Sequence, residues 1–213
     1  VQAFVEGQQF TKRFETELRP NAILFDFDLP AIGSGWFNPP MQNPIIVALD
    51  VPSAEQAVAL AQQVAPAVGA FKIGSELFTA AGPDIVKRIR TTGASVFLDL
   101  KFHDIPNTVA KAVASAVRLD VQMLTIHTAG GLAMMQAAEE SAQKTAAQAG
   151  INAPLVLGVT VLTSMGADDL GEIGVTGTIG HQVDKLAQLA VRAGLRGLVC
   201  SALEVAGLRQ SLP

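Results

Sequence analysis

The chain has 213 residues, 49% of them hydrophobic and 16% charged, with a mean hydropathy of +0.36. It is long enough for one domain and too apolar for a disordered chain, yet no run reaches the roughly 18 uninterrupted apolar residues of a membrane span. Fifteen Lys+Arg against 19 Asp+Glu leave a formal charge of −4 and no basic stripe, so neither a nucleic acid nor a membrane is expected as a partner. A single cysteine, Cys200, excludes an internal disulfide framework and a Cys-rich zinc site, and fits a reducing cytoplasm.

Residues 1–43 read differently from the rest. Six of the ten Phe and the only Trp lie there: Phe4, Phe10, Phe14, Phe25, Phe27, Phe37 and Trp36. Its end, Gly33-Ser34-Gly35-Trp36-Phe37-Asn38-Pro39-Pro40, is rich in helix and strand breakers, and no period of 2 or 3.6 persists through it. The segment is expected to be an N-terminal extension of unknown role: either a docking arm, or an unrelated leader with Met41 as the natural first residue. Its first residues lack the basic start, apolar middle and small-residue cleavage site of a signal peptide, so none is expected.

From residue 44 a regular alternation sets in. Ile45-Ile46-Val47-Ala48-Leu49 is an apolar run ending in Asp50, the pattern of a parallel strand covered on both faces. Ser53 is a candidate N-cap for a helix whose apolar face carries Ala57, Leu60, Ala61 and Val64. Further strands are predicted at 69–74, 95–100, 121–127, 154–160 and 196–200. Helices are predicted at 83–92, 105–118, 131–149 and 178–193. Gly93, Gly150 and Gly194 fall just past helix ends. Six βα-type units with no antiparallel signal predict an α/β fold, either a TIM barrel or a doubly wound sheet.

Polar strand ends separate these two. Asp50, Lys72, Asp99, Lys101, His127 and Thr163 each lie at or just after the C-terminal end of a predicted strand. Such endings are costly unless the groups converge and pair. A TIM barrel gathers all its strand ends at one mouth, where active sites sit, whereas a doubly wound sheet gathers only some of them. Neither a Gly-x-Gly-x-x-Gly turn nor a Walker-type loop follows the first strand.

The sharpest signal is Asp99-Leu100-Lys101-Phe102-His103-Asp104-Ile105-Pro106-Asn107-Thr108. Asp99 and Lys101 are two apart, so on a regular strand they face the same way. Asp104 follows in the loop, and Pro106 suits the first turn of a helix. Two carboxylates around one ammonium would keep the lysine charged and fixed. That arrangement serves either catalysis or an ion pair closing the barrel mouth.

With this block, Ile46-Val47-Ala48-Leu49-Asp50, Phe71-Lys72-Ile73-Gly74, Thr125-Ile126-His127-Thr128-Ala129-Gly130-Gly131 and Val161-Leu162-Thr163-Ser164-Met165 stand in an order and spacing that resemble one family. Residues 44–213 are similar to bacterial orotidine 5′-phosphate decarboxylases. The resemblance implies a TIM (β/α)8 barrel that converts orotidine 5′-phosphate to uridine 5′-phosphate in de novo pyrimidine biosynthesis. It implies no cofactor and no metal, and a homodimer with a shared active site. It implies catalytic roles for Asp99 and Lys101, the latter as proton donor, and for Asp104 reaching into the partner subunit's site. It further implies substrate binding by Asp50 and Lys72 at the ribose hydroxyls, by Ile105 and Thr108 across the interface, and by Thr163 and Ser164 at the pyrimidine.

The remaining chemistry-bearing residues have plainer expectations. His127 could be a general base or a packing residue beside the site, and packing is favoured; His103 is expected to orient its loop. His181 is expected to be solvated, Cys200 to be buried, and Met134 and Met135 to pack in a helix. No His, Asp and Glu cluster has metal-ligand spacing.

Two further expectations concern the end of the sequence. Only about six of the eight βα units of a TIM barrel are readable, and the loops after strands seven and eight, which hold phosphate in such barrels, are not among them. Residues 44–213 therefore read as an incomplete barrel domain that is inactive on its own. The alternatives are a metal-dependent sugar-phosphate decarboxylase or aldolase of the same superfamily, and a non-catalytic truncated barrel that only pairs with a partner.

Overall fold

A computed structural model describes residues 45–212 and the backbone of Phe4 and Val5. The strands are β1 (Phe4–Val5), β2 (Ile46–Ala48), β3 (Ala70–Gly74), β4 (Ser95–Phe102), β5 (Met123–His127), β6 (Leu155–Val159) and β7 (Gly197–Val199). They form one sheet in the order β1-β2-β3-β4-β5-β6-β7, with every neighbouring pair parallel. A doubly wound sheet reverses its strand order at a switch point; this sheet never does. Strictly sequential parallel order is that of a barrel wall, so the described residues form part of a TIM barrel.

Side chains alternate between the two faces of that wall. Val47, Leu49, Phe71, Ile73, Val96, Leu98, Leu124, Ile126 and Val156 belong to a large core shared with the helices. Their neighbours Ile46, Ala48, Ala70, Phe97, Met123, Leu157, Val159 and Val199 form a second buried cluster on the opposite face, the barrel interior. Burial on both faces explains why the strands read as continuous apolar runs.

The helices are α1 (Ala54–Val64), α2 (Ser75–Ala81), α3 (Asp84–Arg90), α4 (Pro106–Val117), α5 (Leu132–Ala149), α6 (Ala167–Glu172), α7 (Ile179–Arg192) and α8 (Val205–Ser211). Ser53 caps α1 by accepting from the Gln56 N–H, and Pro106 opens α4. Gly150 closes α5 at φ 66°, where a Cβ would be strained. Met134 and Met135 are fully buried in α5, His181 is exposed on α7, and Cys200 is buried after β7. Among the described residues no helix is long and apolar enough to cross a membrane.

Three helices, α2, α6 and α8, have no counterpart among the predicted elements. Each is short and buries a single side chain, Leu77, Leu170 or Leu208, whereas the equally short α3 buries Ile85, Val86 and Ile89 at helical spacing. Gly82 and Pro83 separate α2 from α3, so the β3–β4 crossover holds two short helices rather than one. Apart from Phe4–Val5, the predicted extension over 1–43 lies outside the described residues. Those two residues add a parallel strand beside β2, and two residues are too few to show a period.

Candidate active site

Four charged side chains meet at the C-terminal ends of β2, β3 and β4. Lys72 Nζ donates to both oxygens of Asp50, at 3.2 and 3.3 Å, and stands 3.7 Å from Asp99 Oδ2. Lys101 Nζ donates to Asp99 Oδ1 and Oδ2, both at 2.9 Å. The result is an alternating row, Asp50–Lys72–Asp99–Lys101, with no net charge. Its centre is buried, with Lys72 at 7% and Asp99 at 4% exposure, while the Lys101 side chain is 32% exposed. Mutual pairing is what permits charged groups at such depth.

Sheet register builds the row. Ala48 pairs with Lys72, and Gly74 with Asp99, so the inward positions of three successive strands lie side by side. Gly74 leaves the space beside the first pair open. A Cβ there would lie 3.3 Å from Asp50 Oδ1 and 3.4 Å from Lys72 Nζ.

Lys101 reaches Asp99 by a less regular route than period-2 alternation predicts. Between Leu98 and Phe102 the β4–β5 register shifts, since Leu98 pairs with Leu124 but Phe102 with Ile126. Lys101 lies within that bulge at φ 50°. A non-glycine residue held there costs about 1–3 kcal/mol, which the surroundings must offset. Its N–H donates to Thr125 Oγ1 at 2.9 Å, and the Thr125 hydroxyl in turn donates to Asp99 Oδ1 at 2.9 Å.

His127 ends β5 two residues beyond Thr125. Burial first, then the neighbouring His103 and the Lys101 ammonium, push its pKa below the ordinary 6.5, against the opposing pull of Asp99. The His103 ring lies 5.3 Å from it, tilted by 46°. A neutral imidazole adds no second positive charge beside Lys101.

The other predicted site residues lie apart from the row. Asp104 is exposed, and its Oδ1 accepts from the Ile105 N–H at 2.6 Å at the start of α4. Among the described residues it makes no ion pair, so the two-carboxylate cage around Lys101 does not form within one chain; Asp99 takes Lys72 as its second cation instead. Ile105 is 66% exposed and Thr108 is exposed on the next turn. Thr163 and Ser164 lie in an exposed turn after β6 rather than at the strand end itself, and make no hydrogen bond to the row among the described residues.

Sequence patterning overlooked Thr125 and the Lys72–Asp99 contact. Thr125 did carry a signal: a hydroxyl residue within the otherwise apolar run Met123-Leu124-Thr125-Ile126 of a predicted strand, at the position alternating with Met123 and His127; the structure buries it fully. The Lys72–Asp99 contact carried none, because it depends on the register of two strands. Among the described residues no group of three or more His, Cys, Asp or Glu could hold a metal ion.

Residues 43–212 match the Orotidine 5'-phosphate decarboxylase / HUMPS family. The chain is 52% identical over 169 residues to the orotidine 5'-phosphate decarboxylases of Dichelobacter nodosus and Opitutus terrae. Those alignments cover 79% of this chain and 72% and 71% of the relatives. Among solved structures, an uncharacterized conserved protein from Geobacillus kaustophilus superposes with a TM-score of 0.74 at 38% identity, over 78% of this chain and 77% of that one. The orotidine 5'-phosphate decarboxylase from Lactobacillus acidophilus superposes with a TM-score of 0.71 at 36% identity, over 79% and 76%.

Proposed function

The chain belongs to the Orotidine 5'-phosphate decarboxylase / HUMPS family, and from that premise we propose that it decarboxylates orotidine 5′-phosphate to uridine 5′-phosphate in pyrimidine biosynthesis. The observation that carries this is the buried Asp50–Lys72–Asp99–Lys101 row, which ends in a partly exposed ammonium at the barrel mouth. The bond between the ring and its carboxylate breaks, carbon dioxide leaves, and the electron pair stays on the ring carbon. Lys101, clamped by both oxygens of Asp99, stabilises that pair and delivers a proton to it. No cofactor is needed to hold the electrons. Asp99 stands beside the substrate's own carboxylate and repels it until carbon dioxide departs; burial keeps water from screening that charge, while Lys72 and Lys101 offset part of it.

The remaining roles rest on the family resemblance, with which the positions of the residues are compatible. Asp50 and Lys72 bind the ribose hydroxyls beside the gap at Gly74. Thr163 and Ser164, on the exposed turn after β6, close over the pyrimidine. By the same resemblance Asp104, Ile105 and Thr108, exposed at the start of α4, serve the site of a second copy in a homodimer. In TIM barrels the phosphate grip follows strands seven and eight, and within the family match over 43–212 the described strands β2–β7 are six. Residues 1–213 by themselves are therefore expected to bind the nucleotide weakly and turn it over slowly.

The test measures carbon dioxide release and uridine 5′-phosphate formation by residues 1–213. The same assay is run on a fusion that continues the chain through the closing strands of the Dichelobacter nodosus relative, with and without a chelator. The fusion should turn over with no effect of the chelator, and the shorter polypeptide should be far slower. A folded fusion that releases no carbon dioxide refutes the proposal. Chelator-sensitive turnover of a sugar phosphate would replace it with a metal-dependent reaction of the same superfamily.

A further inference from the structure

We propose that Thr125 is a positioning residue that sets the Lys101 ammonium against Asp99; its effect on turnover rests on the reaction proposed above. The Thr125 side chain is fully buried, and a buried hydroxyl is costly unless hydrogen-bonded. Here both of its capacities are used on the same pair of residues. Its oxygen accepts the Lys101 N–H at 2.9 Å, and its O–H donates to Asp99 Oδ1 at 2.9 Å.

The bond to Lys101 stands where the sheet provides no regular partner. From Leu98 to Phe102 β4 advances four positions while β5 advances two, from Leu124 to Ile126. Lys101 lies in that surplus at φ 50°. The Thr125 hydroxyl supplies the acceptor that the interrupted ladder does not, and so holds the lysine backbone in its left-handed conformation. The same hydroxyl fixes the carboxylate that the lysine's Nζ grips at 2.9 Å through both oxygens. A closed loop results, running from the Lys101 N–H through Thr125 Oγ1 and Asp99 to Lys101 Nζ. Opening it frees the backbone and the carboxylate together, and small displacements of a reacting group are costly to rate rather than to binding.

Thr125→Val keeps the shape and removes the hydroxyl; Thr125→Ser keeps the hydroxyl. The first readout is hydrogen exchange of the Lys101 amide in residues 1–213, followed by NMR with the Leu124 amide as reference. The second is kcat and KM in the fusion described above. Valine should speed Lys101 exchange about tenfold or more and lower kcat about 10–100-fold with KM within about threefold, while serine stays within about threefold on both. Valine with unchanged exchange and kcat, or serine as damaging as valine, would overturn the proposal. If the valine variant does not fold, Thr125→Ala against Thr125→Ser decides, since the two differ by the hydroxyl alone; equal exchange and kcat in that pair would overturn it. Absence of turnover in the unsubstituted fusion would refute the proposed function and leave the exchange comparison to decide the role of Thr125.

Discussion

Lys101→Ala removes the one group to which the proposed reaction assigns both the stabilising charge and the proton. A preorganised donor at developing charge is worth about 10²–10³ in turnover, and a positioned general acid about 10²–10⁴. Combined in one ammonium they multiply to about 10⁴–10⁷, or about 5–10 kcal/mol of barrier. The stability cost is far smaller. Asp99 keeps Lys72 at 3.7 Å and the Thr125 hydroxyl at 2.9 Å, and the lost side chain was 32% exposed. The carboxylate is not abandoned, so about 1–2 kcal/mol is expected rather than the ~3–5 kcal/mol of an orphaned buried charge. In a chain of this size that lowers Tm by roughly 2–8 °C. Single-turnover release of labelled carbon dioxide measures the rate, calorimetry measures uridine 5′-phosphate binding, and thermal melting measures stability. Binding should stay within about threefold, because the ribose contacts at Asp50 and Lys72 are untouched. Turnover within tenfold of the parent would refute the assignment of charge and proton to Lys101.

Three other outcomes are expected. Lys101→Ala and Asp104→Ala homodimers should each be inactive, while a mixture should recover up to about a quarter of full activity, since half of the dimers are mixed and each has one intact site; no recovery after verified subunit exchange would put Asp104 in its own subunit's site. His127 has a folded-state pKa below its ordinary 6.5, so the unfolded chain binds more protons as pH falls below 6.5. Stability should decline from there down to the folded pKa, and His127→Gln should flatten that part of a urea-midpoint curve; parallel curves would show that His127 does not contribute. Gly74→Ala should fold normally, because the backbone there is extended at φ −90° and ψ 178°. Its methyl would crowd Asp50 and Lys72 and raise KM about tenfold with kcat within about threefold, and an unchanged KM would mean that the substrate does not use that space.

Particular elements mark how far the sequence could be read. The apolar runs predict β2 to β7, and the 3.6 period predicts α1, α3, α4, α5 and α7, because a strand buried on both faces and a two-turn amphipathic helix leave local signatures. Ser53 and Pro106 mark two helix starts for equally local reasons. The helices α2, α6 and α8, which bury one side chain each, leave no such trace. Phe4–Val5 leaves none either, since two residues are too few for a period and their partners, Ile46 and Val47, lie far along the chain.

The candidate site divides along the same line. Residue type and spacing suffice to bring Asp99, Lys101, Asp50 and Lys72 to the strand ends, because an apolar strand that stops at a charge states where the charge must lie. Spacing alone brings Lys101 to the side of Asp99, as the structure has it, but misses the bulge by which it gets there, and it puts Asp104 of the same chain beside Lys101. In the folded chain Lys72 bridges Asp50 and Asp99, and Lys101 reaches Asp99 from a bulge stapled by Thr125. Local sequence determines conformational period and the kinds of groups at each strand end. Only the tertiary register of one strand against the next decides which charges come within hydrogen-bonding reach, because those distances are set across the sheet rather than along the chain.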